Sequence, residues 1–137
     1  TIEVGEANND ATGTYSIAIL EVPAKDSFAV SIGDTISDGV PGSGAGNIET
    51  QGAFDEYTFE GTAGQKVFID NLGFSGIPSV NYRVIAPDQE ILANTQFNFG
   101  DIGTLELPQT GTYTIEVGEA NNDATGTYSI AITEIDP

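Results

Sequence analysis

The sequence predicts an all-β fold: a two-sheet antiparallel β-sandwich of jelly-roll type with about eight strands. Three observations predict it. Apolar residues alternate with polar ones at a period of two, and no stretch keeps a helical period. Gly, Asn, Asp and Pro break that alternation every 8–15 residues. Hydrophobic residues make up 39% of the 137, with five Tyr and seven Phe placed periodically, which separates the chain from disordered acidic sequences. Strands with one apolar face need a second sheet to cover them. An immunoglobulin-like sandwich is the alternative, but its Cys pair and Trp are missing.

The elements follow in order. Phe28, Val30 and Ile32 alternate in SFAVSI. A Gly- and Ser-rich loop of about 20 residues follows, GDTISDGVPGSGAGNIETQGA, with a short strand at 34–37; loops of this length are usually functional or pinned. Asp55, Tyr57 and Phe59 share a face, as do Val67 and Ile69 after the turn at 62–64. Residues 73–79 read as a loop before Val80, Tyr82 and Val84. Pro87-Asp88 turns the chain into QEILAN, and Gly100-Asp101 turns it into the strand of Leu105 and Leu107. Tyr113, Ile115 and Val117 then face Tyr128, Ile130 and Ile132 across GEANNDATG, which predicts a hairpin with a long loop. Tyr57, Tyr82, Tyr113 and Tyr128 are core residues, the hydroxyls of Tyr113 and Tyr128 reaching the sandwich edge. Phe74, Phe97 and Phe99, in or next to loops, read as caps on the sandwich, the alternative being an exposed apolar patch.

A repeat organises the chain. Residues 1–19, TIEVGEANNDATGTYSIAI, recur unchanged as residues 114–132, an offset of 113. Glu21 also matches Glu134, and Val22 stands opposite Ile135. A period this long makes each repeat a whole domain rather than a solenoid unit. Residues 1–22 are then the C-terminal hairpin of a preceding repeat, and 25–137 are one complete repeat of about 113 residues, joined by residues 20–27. The chain begins at Thr1 rather than Met, which reads as a piece of something longer. The apolar face of the first copy, Ile2, Val4, Tyr15, Ile17 and Ile19, needs a partner, because an isolated hairpin is marginal in water. The slot that holds 114–132 fits it equally well. The expected partner is a neighbouring copy, by strand donation or domain swapping, and a heterologous contact of that kind grows open chains.

The run Asp55-x-Tyr57-x-Phe59, Ala63-Gly64-Gln65-x-Val67, Gly111-Thr112-Tyr113-x-Ile115-x-Val117 and Gly126-Thr127-Tyr128-x-Ile130 resembles the bacterial pre-peptidase C-terminal domain. FAVSIGDTISDGV resembles the first strand of that family, and the likeness covers about 28–132. It implies a secreted, non-catalytic sandwich that accompanies extracellular hydrolases or occurs in large surface proteins. Some relatives bind calcium and a protein ligand. Their acidic calcium cluster does not align cleanly with this chain.

Charge and missing residue types narrow the chemistry. The net charge is −18, and the only bases are Lys25, Lys66 and Arg83, which excludes nucleic-acid and anionic-membrane binding. No apolar stretch approaches the roughly 20 residues of a membrane span, so membrane insertion is not expected. Without His or Cys there is no Ser-His-Asp arrangement, thiol nucleophile or zinc-thiolate site. Lys25 and Lys66 sit where nothing activates them, and Asp55 and Glu56 point to opposite faces of one strand. No enzyme is predicted. Ca²⁺ is the candidate cofactor, because it takes six to eight oxygen ligands; Asp38, Glu49 and Asp55 around the long loop are the candidate ligands. The competing reading has Asp55 accepting backbone N–H bonds that hold the loop. Asn121-x-Asp123-x-Thr125-Gly126 imitates the start of an EF-hand, but its bidentate position falls on Ile132. The function predicted is a structural repeat of a large secreted or cell-surface bacterial protein: a spacer, adhesin stalk or extracellular filament. The alternative is a calcium-dependent accessory module for an extracellular glycan or matrix protein.

Overall fold

The alternating segments become strands with one side turned inward. In the computed structural model, residues 1–19, 25–96, 101–119 and 124–135 are described. The strands are β1 (Asp26–Ala29), β2 (Thr35–Ile36), β3 (Asn47–Ile48), β4 (Phe54–Gly61), β5 (Lys66–Ser75), β6 (Val80–Ile85), β7 (Ile91–Gln96), β8 (Gly103–Glu106), β9 (Gly111–Glu119) and β10 (Gly126–Glu134). One sheet runs β1-β4-β9-β6-β7. The other runs β2-β10-β5-β8, with β3 also on β10.

The two inner faces make the core. β4 contributes Tyr57 and Phe59, β6 contributes Val80, Tyr82 and Val84, and β9 contributes Tyr113, Ile115 and Val117. From the other sheet come Val67 and Ile69 of β5 and Tyr128, Ile130 and Ile132 of β10. Each fully buried aliphatic or aromatic side chain stabilises the fold by about 1.5–3 kcal/mol. Phe59 and Tyr113 are register partners, and their rings stack with centroids 5.5 Å apart. The four predicted core tyrosines are all buried, and Phe74 packs partly buried against the core.

Several expectations are corrected. There are ten strands among the described residues rather than about eight, because the long loop carries two short ones. β5 continues to Ser75, so the first three residues of the predicted 73–79 loop are strand, with a bulge opposite Ser129/Ile130 absorbed by Gly73 at φ 137°. β1 pairs with β4 in parallel, not antiparallel, and it starts at Asp26 inside the presumed connecting segment. The largest correction concerns the last two strands. They are not a hairpin: β9 lies between β4 and β6 in one sheet, and β10 lies between β5 and β2/β3 in the other. Each has neighbours on both sides, so neither can pair with the other. The six residues between them, 120–125, are enough to cross the roughly 10 Å between packed sheets. The pair is therefore an arch that closes both sheets at once.

The first copy of the same sequence forms no strand. Ile2, Val4, Tyr15, Ile17 and Ile19 are 46–77% exposed. Its one local structure is a turn in which the Glu6 carboxylate accepts the N–H groups of Asn8 (2.9 Å) and Asp10 (3.0 Å). Phe97, Phe99, Asn121, Asp123 and most of the predicted connecting segment fall outside the described residues.

Candidate metal centre

The long loop is pinned at Gly46. Its N–H donates to the Tyr57 hydroxyl at 2.8 Å, and its carbonyl accepts the Tyr128 N–H at 2.9 Å. With φ at 67°, any Cβ here would run into the backbone of Ser37 and Asp38, so the position requires Gly. The loop is thus held between a side chain of β4 and the backbone of β10.

Beneath it lies a buried polar cluster. Asp55, 1% exposed, accepts a short hydrogen bond from the Tyr128 hydroxyl and a longer one, 3.3 Å, from Tyr57. The two hydroxyls are 2.6 Å apart. Tyr128 therefore points into the sandwich rather than to its edge. Tyr113 does reach an edge, where its hydroxyl donates to the Gln109 carbonyl at 2.6 Å. The reading in which Asp55 holds the loop through backbone N–H groups is revised: Asp55 binds two tyrosine hydroxyls, and one of them holds the loop.

The parallel register then completes a triad of carboxylates. Asp26 pairs with Asp55 and Phe28 with Tyr57, whose ring it stacks on at 5.5 Å. Glu49 arrives directly after β3. One oxygen from each of Asp26, Glu49 and Asp55 lies within 4.8 Å of the others. Two of the three predicted ligands, Glu49 and Asp55, are brought together. Asp38 is placed elsewhere, in a shallow groove with Leu72, Phe74, Thr127 and Ser129. Asp26 was missed because the sequence offers no sign of a parallel pairing; its alternation with Phe28 and Val30 was the available signal.

The electrostatics of the cluster are those of a site short of positive charge. Burial first, then the charges of Glu49 and Asp26, outweigh the tyrosine hydrogen bonds and push Asp55 up to about 7. Burial and the neighbouring Asp26 also hold Glu49 above its usual range. The ion pairs among the described residues lie elsewhere: Lys25 with Glu56 (3.6 Å) and Glu116 (2.8 Å), and Arg83 with Glu116 (2.7 Å). Burial raises Glu116, but these two cations outweigh it and hold the carboxyl below its usual value.

The cluster fits a divalent cation on two counts. Oxygens bound to one Ca²⁺ at about 2.4 Å lie no more than about 5 Å apart, and these three meet that limit. Gly44, at φ 93°, leaves its Cβ space to the carboxylates: a Cβ there would lie 2.6 Å from Asp26 Oδ2 and 2.7 Å from Glu49 Oε1. Asp55 and Glu56 do point to opposite faces, since Asp55 is buried while Glu56 meets Lys25 and Ser27 (3.4 Å) outside.

Comparison with solved structures identifies the architecture. The pre-peptidase C-terminal domain of a collagenase from Bacillus anthracis superposes with a TM-score of 0.60 at 19% identity, over 82% of this chain and 100% of that one. The chain has the fold of a pre-peptidase C-terminal domain. That fold extends to the periplasmic inhibitors of g-type lysozyme (PliG) from Aeromonas hydrophila and Salmonella Typhimurium. Both have TM-scores of 0.54 at 20% identity over 80% of this chain, and 100% and 98% of theirs. Neither a scan against protein-family models nor a search of curated proteins finds a match. The pre-peptidase C-terminal architecture read from the tyrosine and glycine motifs is thus borne out as a fold. No helix among the described residues is long and apolar enough to cross a membrane.

Proposed function

We propose that the chain is a non-catalytic, calcium-clamped sandwich domain serving as a structural repeat of a secreted or cell-surface protein, in a spacer, adhesin stalk or filament. The observation that carries it is the carboxylate cluster Asp26–Glu49–Asp55, with Gly44 opening the space above it. The cluster joins the first strand, the long loop and β4, so a bound Ca²⁺ would tie the entry of the chain to the core. Asp26, Glu49 and Asp55 would hold the ion, which supplies the positive charge these three lack. Tyr128 and Tyr57 orient Asp55 from below. The repeat of residues 1–19 at 114–132 supports the array, its neighbours being further copies. The missing His and Cys support a role without catalysis.

Thermal melts in Ca²⁺ and in chelator test this. Saturation to about 100 Kd stabilises a fold by about 2.7 kcal/mol, so calcium raises the Tm by several degrees, and Asp26→Asn abolishes the response. Equal melts in Ca²⁺ and chelator would remove the calcium clamp. A second reading, an accessory module that binds an extracellular glycan or matrix protein, is supported by this fold occurring in proteins named as lysozyme inhibitors. Retention of a single domain on an immobilised glycan or matrix protein favours that reading.

A further inference from the structure

The closing arch is written twice in the sequence and used once in the sandwich. Residues 114–132 give the core Ile115, Val117, Tyr128, Ile130 and Ile132, each no more than 2% exposed. Residues 1–19 carry the same side chains in the same order, as Ile2, Val4, Tyr15, Ile17 and Ile19, and leave all five in solvent. The walls of the slot are β4 and β6 on either side of β9, and β5 and β2/β3 on either side of β10. Every wall lies within residues 25–113, so neither copy of the arch contributes to its own slot.

We propose that residues 1–19 are a second closing arch for the sandwich core that follows them, so that the core can be completed from either side of its sequence. The occupant is the chain's own first segment. Chain length permits it. Gly33 N–H donates to the Ile132 carbonyl at 2.7 Å, and Ile132 N–H donates to the Asp34 carbonyl at 3.1 Å. Ile19 placed where Ile132 sits would therefore lie beside Gly33. Asp26 is seven Cα steps from Gly33 along the chain and equally seven from Ile19. Seven steps reach up to about 24 Å. The span from Asp26 to Gly33 falls short of that, because the chain turns where Asp34 N–H meets the Ser31 carbonyl at 3.0 Å. An arch tethered by so short a connection has an effective concentration of the order of millimolar, far above a second copy at micromolar levels. Residues 114–132 hold the slot in this structure because β9 continues without a break from Tyr113, whose ring is fixed against Phe59.

Four full-length proteins test the proposal: wild type, Ile17→Asp, Ile130→Asp and the double variant. Ile130 is completely buried, so Asp there disables the second arch. Ile17→Asp melts like wild type. Ile130→Asp keeps a cooperative melt, while amide-exchange protection falls at least tenfold in 114–132 and rises at least tenfold in 1–19. The double variant has no cooperative transition. If Ile130→Asp alone is as unfolded as the double variant, the first segment cannot close the core and the proposal fails. If Ile130→Asp folds only as a concentration-dependent dimer by light scattering, the acceptor is another molecule and own-chain closure is overturned. A parallel set at Ile2 and Ile115 probes the other sheet, with the same outcomes. None of these readouts depends on calcium.

Discussion

Residues 1–19 and 114–132 are the same peptide in two conditions. In the second copy, Ile130 is sealed between two sheets and the Tyr128 hydroxyl is bound to Asp55. In the first, Ile17 is 55% exposed and Tyr15 is 69% exposed. Propensity and amphipathic pattern are identical, so neither decides the outcome. Strands here are held by neighbours: β9 and β10 each have a partner on both sides, and the first copy has none. Secondary structure in this chain is a property of the slot more than of the peptide that fills it.

That comparison separates core positions the sequence holds once from those it holds twice. The largest effect belongs to a single-copy position. Ile69→Ala leaves a hole nothing else fills and costs about 2–5 kcal/mol by denaturant unfolding; Ile130→Ala, backed by the first copy, costs measurably less. An equal cost at both sites would erase the distinction.

Next comes the pH response of Asp55, which the second copy touches through Tyr128. Its folded pKa, about 7, lies above its unfolded value of about 3.9. The folded state therefore binds the extra proton, and without calcium stability is fully present below about pH 4 and is lost as pH rises towards 7. At about 1.4 kcal/mol per unit, the limit is about 4 kcal/mol. Melts in chelator between pH 4 and 8 should fall over that range, and excess Ca²⁺ should flatten or reverse the trend. A Gly46→Ala substitution, which strains the loop held by Tyr57 and Tyr128, costs about 1–3 kcal/mol on the same assay. The smallest effect belongs to the first copy: Ile17→Ser shifts stability by less than about 0.5 kcal/mol.

Most of the fold was legible because alternation at period two is a local signal. Tyr57 and Phe59, Val80 to Val84, and Ile130 and Ile132 all face inward as their spacing requires. What escaped was long-range. Nothing in GEANNDATG says whether its flanking strands pair or part, since both outcomes bury the same faces. Nothing in DSFA says it pairs in parallel with β4, and that register alone brings Asp26 to Asp55. Glu49 and Asp55 were recognisable from their position around a loop that needed pinning. Asp38 was grouped with them by nearness in sequence, but it lines the groove with Leu72, Phe74 and Thr127 instead.

The parallel pairing of β1 also has a mechanical meaning. The chain enters the sandwich at Asp26, beside Asp55 and the start of β10. It leaves β10 at Glu134, which pairs with Val67 near the opposite end, about 20 Å along the strand from Tyr128. Tension applied through these two points pulls β1 along its own axis. The β1–β4 ladder is then loaded in shear, all its hydrogen bonds at once, rather than peeled one by one, and the carboxylate cluster sits at the point where the load enters.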